Sequence, residues 1–209
     1  MMKVGILLAG CGFYDGTEIA EAVLSALAVE RAGVRAIYLA PEVPQMHTVD
    51  HLTGTEADGA TRQVLGESAR LARGRVRSLT EQWAGELGAV IIPGGHGAVK
   101  NLMTNFANLN ERRALLPQVR DLLADLAGRR APIGSISLGH TVVQTFLDEP
   151  LSEEDMKVSA ADVVVDEARR LLFTPGFLTG ASLPEVATGI DKMVQTMLAM
   201  AGGGLHVIH

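Results

Sequence analysis

This 209-residue chain holds a single cysteine, Cys11. That excludes an intrachain disulfide and fits a reducing compartment, with the cytoplasm as the expected location. Aromatic residues make up only 4%, so the core must come from the aliphatic residues that dominate a 47% hydrophobic share. No run approaches the ~20 consecutive apolar residues that span a bilayer, and no membrane association is expected. Basic residues are outnumbered, 18 Lys and Arg against 24 Asp and Glu, for a net charge of −6. A surface of that sign offers nothing to a phosphate backbone, so nucleic acid is excluded as a partner. Metal chemistry lacks a ligand set. His47 and His51 have no cysteine or acidic cluster at ligand spacing, and His206 and His209 sit in a glycine-led tail. Neither a metal nor a cofactor is expected.

What is present is a regular alternation of short apolar runs and amphipathic stretches. Residues 3–9 read as a buried strand closed by Gly10-Cys11-Gly12. Leu8-Ala9-Gly10-Cys11 also spells a lipobox, but the apolar run before it is too short for a leader, so a first strand is expected. A helix follows with Thr17 as its N-cap; Ile19, Ala22, Val23, Ala26 and Leu27 recur at helical spacing and Gly33 stops it. A second strand is expected at 34–39, a long loop at 41–54 and a polar helix at 61–73. The mixed charges of 67–77 read as a solvated helix face. The third strand, 89–92, ends in Pro93-Gly94-Gly95-His96-Gly97. An amphipathic helix is expected at 115–126 with Gly128 beyond it, then a strand into Ser137, a helix at 141–147, strands at 161–166 and 171–174, and a last helix at 184–200. Strands alternating with helices predict one domain over 1–201, a three-layer α/β/α sandwich with a mostly parallel sheet, and a tail at 202–209.

Ligands of such sheets bind at the carboxyl ends of the strands, where three turns are expected to converge: 10–12, 93–97 and the one at Ser137. Ala131-Pro132-Ile133-Gly134-Ser135-Ile136-Ser137-Leu138-Gly139-His140 reads as a buried strand, a sharp turn and a helix start. That arrangement lifts the central side chain to the sheet edge beside free helix-start N–H groups. The N–H groups of Gly95 and Leu138 are candidates for an oxyanion hole or anion nest. His140 and His96 are the candidate bases; the plainer reading of each is a polar turn residue. Cys11 is either a small buried hydrophobe or, beside a helix start, a redox-responsive thiolate.

Gly10-Cys11-Gly12-Phe13-Tyr14-Asp15-Gly16-Thr17-Glu18-Ile19 resembles the G-C-G-x-Y-D-G-[ST]-E-I signature of the ElbB family, amidotransferase-like proteins of isoprenoid biosynthesis in the PfpI/ThiJ superfamily. Matching stretches continue through His51-Leu52-Thr53-Gly54, Glu67-Ser68-Ala69-Arg70, Pro93 to Leu102, Asn105-Phe106-Ala107, Val163 to Asp166 and Thr188 to Lys192, nearly end to end. The resemblance implies a flavodoxin-like, class I glutamine amidotransferase-like fold and, as in some members, glyoxalase-type activity. It also implies a cysteine nucleophile at the position of Ser137 with an acidic partner on the first helix. Superfamily spacing, counted back from Gly33, puts that acid at Glu21, with Glu18 one turn earlier as the alternative.

Two departures weaken the inherited chemistry. A thiol can be tuned to a thiolate by turn dipoles and a nearby carboxyl, whereas a serine hydroxyl needs a general base within hydrogen-bond reach. The stretch 141–161 is also shorter than in similar sequences. Gly139-His140 is similar to the C-x-G-[HQ] continuation of amidotransferases, but their His-Pro-Glu element is absent, Leu183-Pro184-Glu185 carrying leucine instead. The expected function is therefore an ElbB-like protein with a pocket for a small carbonyl or anionic ligand at the elbow, its catalysis weak or lost. The alternatives are a glyoxalase-type or Ser137-dependent hydrolytic enzyme using Glu21 with His96 or His140, and a non-catalytic regulatory oligomer linked to isoprenoid metabolism. A homodimer is expected, with Phe106, Leu109, Val142, Val143 and Phe146 near its interface unless they are ordinary core.

Overall fold

The protein is described by a computed structural model covering residues 2–57, 59, 61–79, 83, 85–104, 113–149 and 157–202. Its main sheet is built from seven strands: β1 (Lys3–Leu7), β2 (Arg35–Ala40), β5 (Val76–Ser78), β6 (Ala89–Ile92), β9 (Ile133–Ile136), β10 (Val164–Asp166) and β11 (Leu171–Thr174). Their spatial order is β10-β11-β9-β6-β1-β2-β5. Every neighbouring pair is parallel except β10 with β11, an antiparallel hairpin at one edge. Two short hairpins stand apart: β3 (Val49–Asp50) with β4 (Thr55–Glu56), and β7 (Met103–Thr104) with β8 (Ala114–Leu115).

The α/β/α sandwich follows from the pleat, because alternate residues of buried strands point to opposite layers. Leu7, Val90, Ile92 and Ile133 face a layer made by α3 (His96–Asn101), α4 (Pro117–Gly128) and α5 (Gly139–Leu147). Val4, Ile6, Ile91 and Ile136 face the other, made by α1 (Ile19–Arg31), α2 (Val64–Leu71) and α6 (Leu183–Met200). Gly134 opens the β9 floor for α6, since a Cβ there would stand 2.5 Å from Met197 Cε. The chain leaves β1 into α1 on one face and β6 into α3 on the other. The gap between β1 and β6 is thus a topological switch point, where α/β sheets form their crevices.

Several expectations change. The N-cap of α1 is Glu18, whose Oε2 accepts from Glu21 N–H at 2.6 Å. Thr17 Oγ1 instead takes the Ala9 N–H at 2.7 Å, tying the helix approach to the end of β1. The polar helix shortens to α2 and leaves room for β5, an edge strand of only three residues with too little apolar pattern to read. Val142 and Val143 are buried core residues in α5, and Phe146 packs partly against the same core. The apolar character of the two valines therefore serves the helix–sheet seam. Phe106, Leu109, His206 and His209 lie outside the described residues.

Candidate functional site

The turn between β9 and α5 carries a strained residue. Ser137 has φ 52°, in the left-handed region that costs a side-chain-bearing residue roughly 1–2 kcal/mol. Of the five described non-glycine residues with positive φ it is the only buried one, 5% exposed. The strain is held on three sides. Ser137 N–H donates to Thr174 O at 3.0 Å, and Ser137 O accepts from His140 N–H at 3.0 Å. Gly139 lies against the end of β6, where a Cβ would collide with the carbonyl oxygens of Ile92 and Pro93.

Gly94 sits between the serine and a buried carboxyl. A Cβ on Gly94 would stand 2.8 Å from both Ser137 Oγ and Glu21 Oε2, so one absent methyl separates hydroxyl from carboxyl. Glu21 is fully buried on the inner side of α1, its Oε2 accepting from Gly94 N–H at 2.7 Å and its Oε1 from Phe177 N–H at 3.3 Å. Burial pushes its pKa up to about 8, helped by the Glu18 charge and only partly offset by the two N–H donors. Burial thus favours the protonated form of Glu21. Glu18, the alternative acid, spends its side chain on the cap of α1 and its own N–H on Gly94 O at 2.9 Å.

Neither candidate base reaches the serine: among the described residues no hydrogen bond joins an imidazole to Ser137 Oγ. His140 has Nδ1 3.0 Å from Ser135 Oγ and its ring stacked on Phe173 at 4.2 Å. Its ring lines a separate cleft of about 130 Å³ with Gln144, Asp166 and Arg169. His96 packs on Phe13 at 4.8 Å and Tyr14 at 6.3 Å, and its pKa is lowered by burial and by the Lys100 charge. The N–H groups of Gly95 (φ 90°) and Leu138 have no hydrogen-bond acceptor among the described residues; Gly95 is buried and Leu138 partly so. Cys11 is half-buried, and burial with the nearby Glu67 charge pushes its thiol up, opposite to what a reactive thiolate needs.

Two contributors have little signature in the sequence. The turn after β11, Gly176 and Phe177, closes the far side of Glu21; Gly176 has φ 56°, and a Cβ there would strike Glu21 Oε1. The dipeptide Pro175-Gly176 directly after a strand is the available signal. The second is a lock on the first turn. Buried Asp15 accepts from Val49 N–H at 2.7 Å and His51 Nε2 from Tyr14 N–H at 3.2 Å, fixing the β3–β4 hairpin beside Tyr14. It joins residues 34 to 37 positions apart, which no local pattern reveals.

No family model matches the chain. It is 33% identical over 225 residues to the human glutamine amidotransferase-like class 1 domain-containing protein 3, mitochondrial, covering 96% of this chain and 84% of that protein. The mitochondrial ES1 protein homolog of Rattus norvegicus is 32% identical with the same two coverages, 96% and 84%. Among solved structures, an isoprenoid biosynthesis protein with amidotransferase-like domain from Ehrlichia chaffeensis is 30% identical with a TM-score of 0.86, covering 95% of this chain and 99% of its own. A DJ-1 superfamily protein from Salmonella typhimurium, 18% identical, shares the fold at a TM-score of 0.54 over 99% of this chain and 93% of its own. No helix among the described residues is long and apolar enough to cross a membrane. The rat and human relatives are both designated mitochondrial, so the expected cytoplasmic location is not confirmed.

Proposed function

Because the chain belongs to the ElbB family of amidotransferase-like proteins, we propose that it binds a small carbonyl or carboxylate compound at the elbow without efficient turnover. The single observation that carries this reading is Ser137, held at φ 52° beside a buried Glu21 with no base on its hydroxyl among the described residues. The turn keeps groups suited to holding such a compound. The unpaired N–H groups of Gly95 and Leu138 would favour an oxygen carrying partial or full negative charge. A protonated Glu21 and the Ser137 hydroxyl add donors to the same side. As a catalyst the arrangement is deficient, because a neutral carboxylic acid does not take the proton that serine must lose to attack. The word isoprenoid in the name of the Ehrlichia protein comes to this chain as part of the proposal: the bound compound would signal to that metabolism, and the protein would not transform it.

The test compares glyoxalase-type loss of methylglyoxal in the wild type, Ser137→Cys and Ser137→Ala. Wild-type turnover at the background rate, and a gain of at least roughly tenfold in Ser137→Cys, are expected, since a thiol at this turn can ionise where a hydroxyl does not. Wild-type turnover that is robust and survives Ser137→Ala would overturn the reading.

A further inference from the structure

The first turn and the start of α3 together carry a surface of packed rings. Phe13 and Tyr14 are 42% and 37% exposed, the two exposed Phe, Tyr or Trp side chains among the described residues of a chain with only 4% aromatics. Their rings are 5.2 Å apart. Two imidazoles extend the surface. The His96 ring lies 4.8 Å from Phe13 and 6.3 Å from Tyr14, within 14° of parallel to the latter, and the His51 ring lies 5.2 Å from Tyr14. Ring burial is among the largest apolar gains a side chain can make, and a cluster of rings left at the surface marks a binding surface. The backbone beneath is fixed. Phe13 O accepts from His96 N–H at 2.8 Å, Tyr14 N–H donates to His51 Nε2 at 3.2 Å, and Tyr14 O accepts from Lys100 Nζ at 3.0 Å. Gly16 N–H closes the loop onto Gly12 O at 2.7 Å. The turn is thus set before any ligand arrives, so binding there costs little in lost freedom.

We propose that these rings are the specificity wall of the elbow and select an aromatic 2-oxo acid or aromatic carboxylate over an aliphatic compound with the same head group. The inference rests on the reading of the elbow as a site for a small carbonyl or carboxylate compound, and it supplies the other half of that compound. Place, shape and charge carry it. His96 directly follows Gly95, and consecutive Cα atoms are only about 3.8 Å apart, so an oxygen held at the Gly95 N–H brings its substituent beside the His96 and Phe13 rings. Flat faces at the rim take a flat guest in offset or tilted contact, which a methyl or short alkyl group cannot fill. Burial and the Lys100 charge lower the pKa of His96, so its imidazole adds a plane and no charge. The charge at the rim comes from Lys100, the only Lys, Arg, Asp or Glu between Pro93 and Thr104. The acids of the first turn do not oppose it there: Asp15 is buried and accepts from Val49 N–H, and Glu18 caps α1. An anionic guest is therefore matched, whereas an ammonium compound, the other guest that rings attract, is repelled by Lys100.

Isothermal titration calorimetry on the full chain with phenylglyoxylate and with pyruvate tests this, because the two probes share the 2-oxo carboxylate and differ in the ring. Phenylglyoxylate is expected to bind the wild type at least roughly tenfold more tightly than pyruvate. Phe13→Leu keeps an apolar side chain at an exposed position and is expected to bring the two affinities within about threefold, at an unchanged thermal midpoint. His96→Leu, a second variant, is expected to shrink the preference in the same direction. Lys100→Gln is expected to weaken both probes, since both carry the carboxylate. Equal wild-type affinities, or a preference for phenylglyoxylate that survives both Phe13→Leu and His96→Leu, would overturn this inference while pyruvate binding leaves the elbow reading standing. Binding of neither probe would overturn both.

Discussion

The turns after β6 and after β9 meet at the carboxyl edge of the sheet, and each needs a residue in left-handed backbone, but they meet the need differently. After β6 it is Gly95 at φ 90°, wedged against the backbone of Gly16 to Glu18, where no side chain fits. After β9 it is Ser137 at φ 52°, which keeps a side chain at a cost of roughly 1–2 kcal/mol although glycine would fit the dihedral. The first turn answers a packing problem and the second carries a side chain in spite of strain. Strain held by surrounding structure at a buried polar residue is the mark of a functional turn. The flanking glycines are where the fold yields, Gly94 giving space to the Ser137 hydroxyl and the Glu21 carboxyl, and Gly139 to the end of β6.

The comparison breaks most visibly at Gly139. Gly139→Ala forces a Cβ onto two main-chain oxygens that belong to β6 and its turn, neither of which can rotate away. A loss of more than about 3 kcal/mol is expected in denaturant unfolding, at or beyond the upper end of ordinary overpacking. A loss below about 1 kcal/mol would mean that the two turns are not seated as closely as this.

Glu21 gives the next effect. Its folded pKa of about 8 lies above the ordinary 4.5, so the native state keeps a proton that the unfolded chain releases in between. The associated stability is fully present below about pH 4.5, declines as pH rises through about 8, and is flat beyond. The expected loss across that window is on the order of a few kcal/mol, since each tenfold difference in proton affinity between the folded and unfolded chain is worth about 1.4 kcal/mol. Glu21→Gln should flatten the profile of thermal midpoint against pH. A wild-type profile with no decline between about pH 5 and pH 8.5 would show that the carboxyl ionises freely.

The smallest effect sharpens the comparison most. Ser137→Gly removes the left-handed penalty but adds backbone entropy to the unfolded chain, worth roughly 0.5–1 kcal/mol in the other direction. A net gain of up to about 1 kcal/mol is expected in equilibrium unfolding. A clear loss of stability would mean that the side chain contributes to folding and is not there for a ligand.

Much of the fold was legible because burial writes itself into local pattern. The runs at 4–7, 89–92 and 133–136 are apolar enough for strands covered on both faces, and Gly33 ends the first helix with φ 72° as a stop signal should. Less could be read where an element is short or one-sided. β5 is three residues at an edge, and β3 with β4 is a two-residue pairing held by Asp15 from another turn. Apolar residues posed the opposite difficulty. Val142 and Val143 look like interface residues in sequence and are core, while Ile19, Val23 and Leu27 look like core and lie at the surface. Hydrophobic periodicity identifies a helix, but not how many of its faces the fold covers.

The sequence by itself determined the layered α/β/α architecture, the family, the strand-to-helix turn at Ser137 and the absence of a thiol there, since each is a local matter of periodicity, glycine spacing or residue identity. Tertiary structure alone decided that Glu21 is enclosed beside Gly94 while Glu18 caps its helix, that both histidines are engaged elsewhere, and that burial favours the protonated form of Glu21. A helix turn places two acids 3 residues apart in similar local settings. Only the approach of Gly94 and Phe177 from distant strands removes water from one of them and makes it a different chemical group.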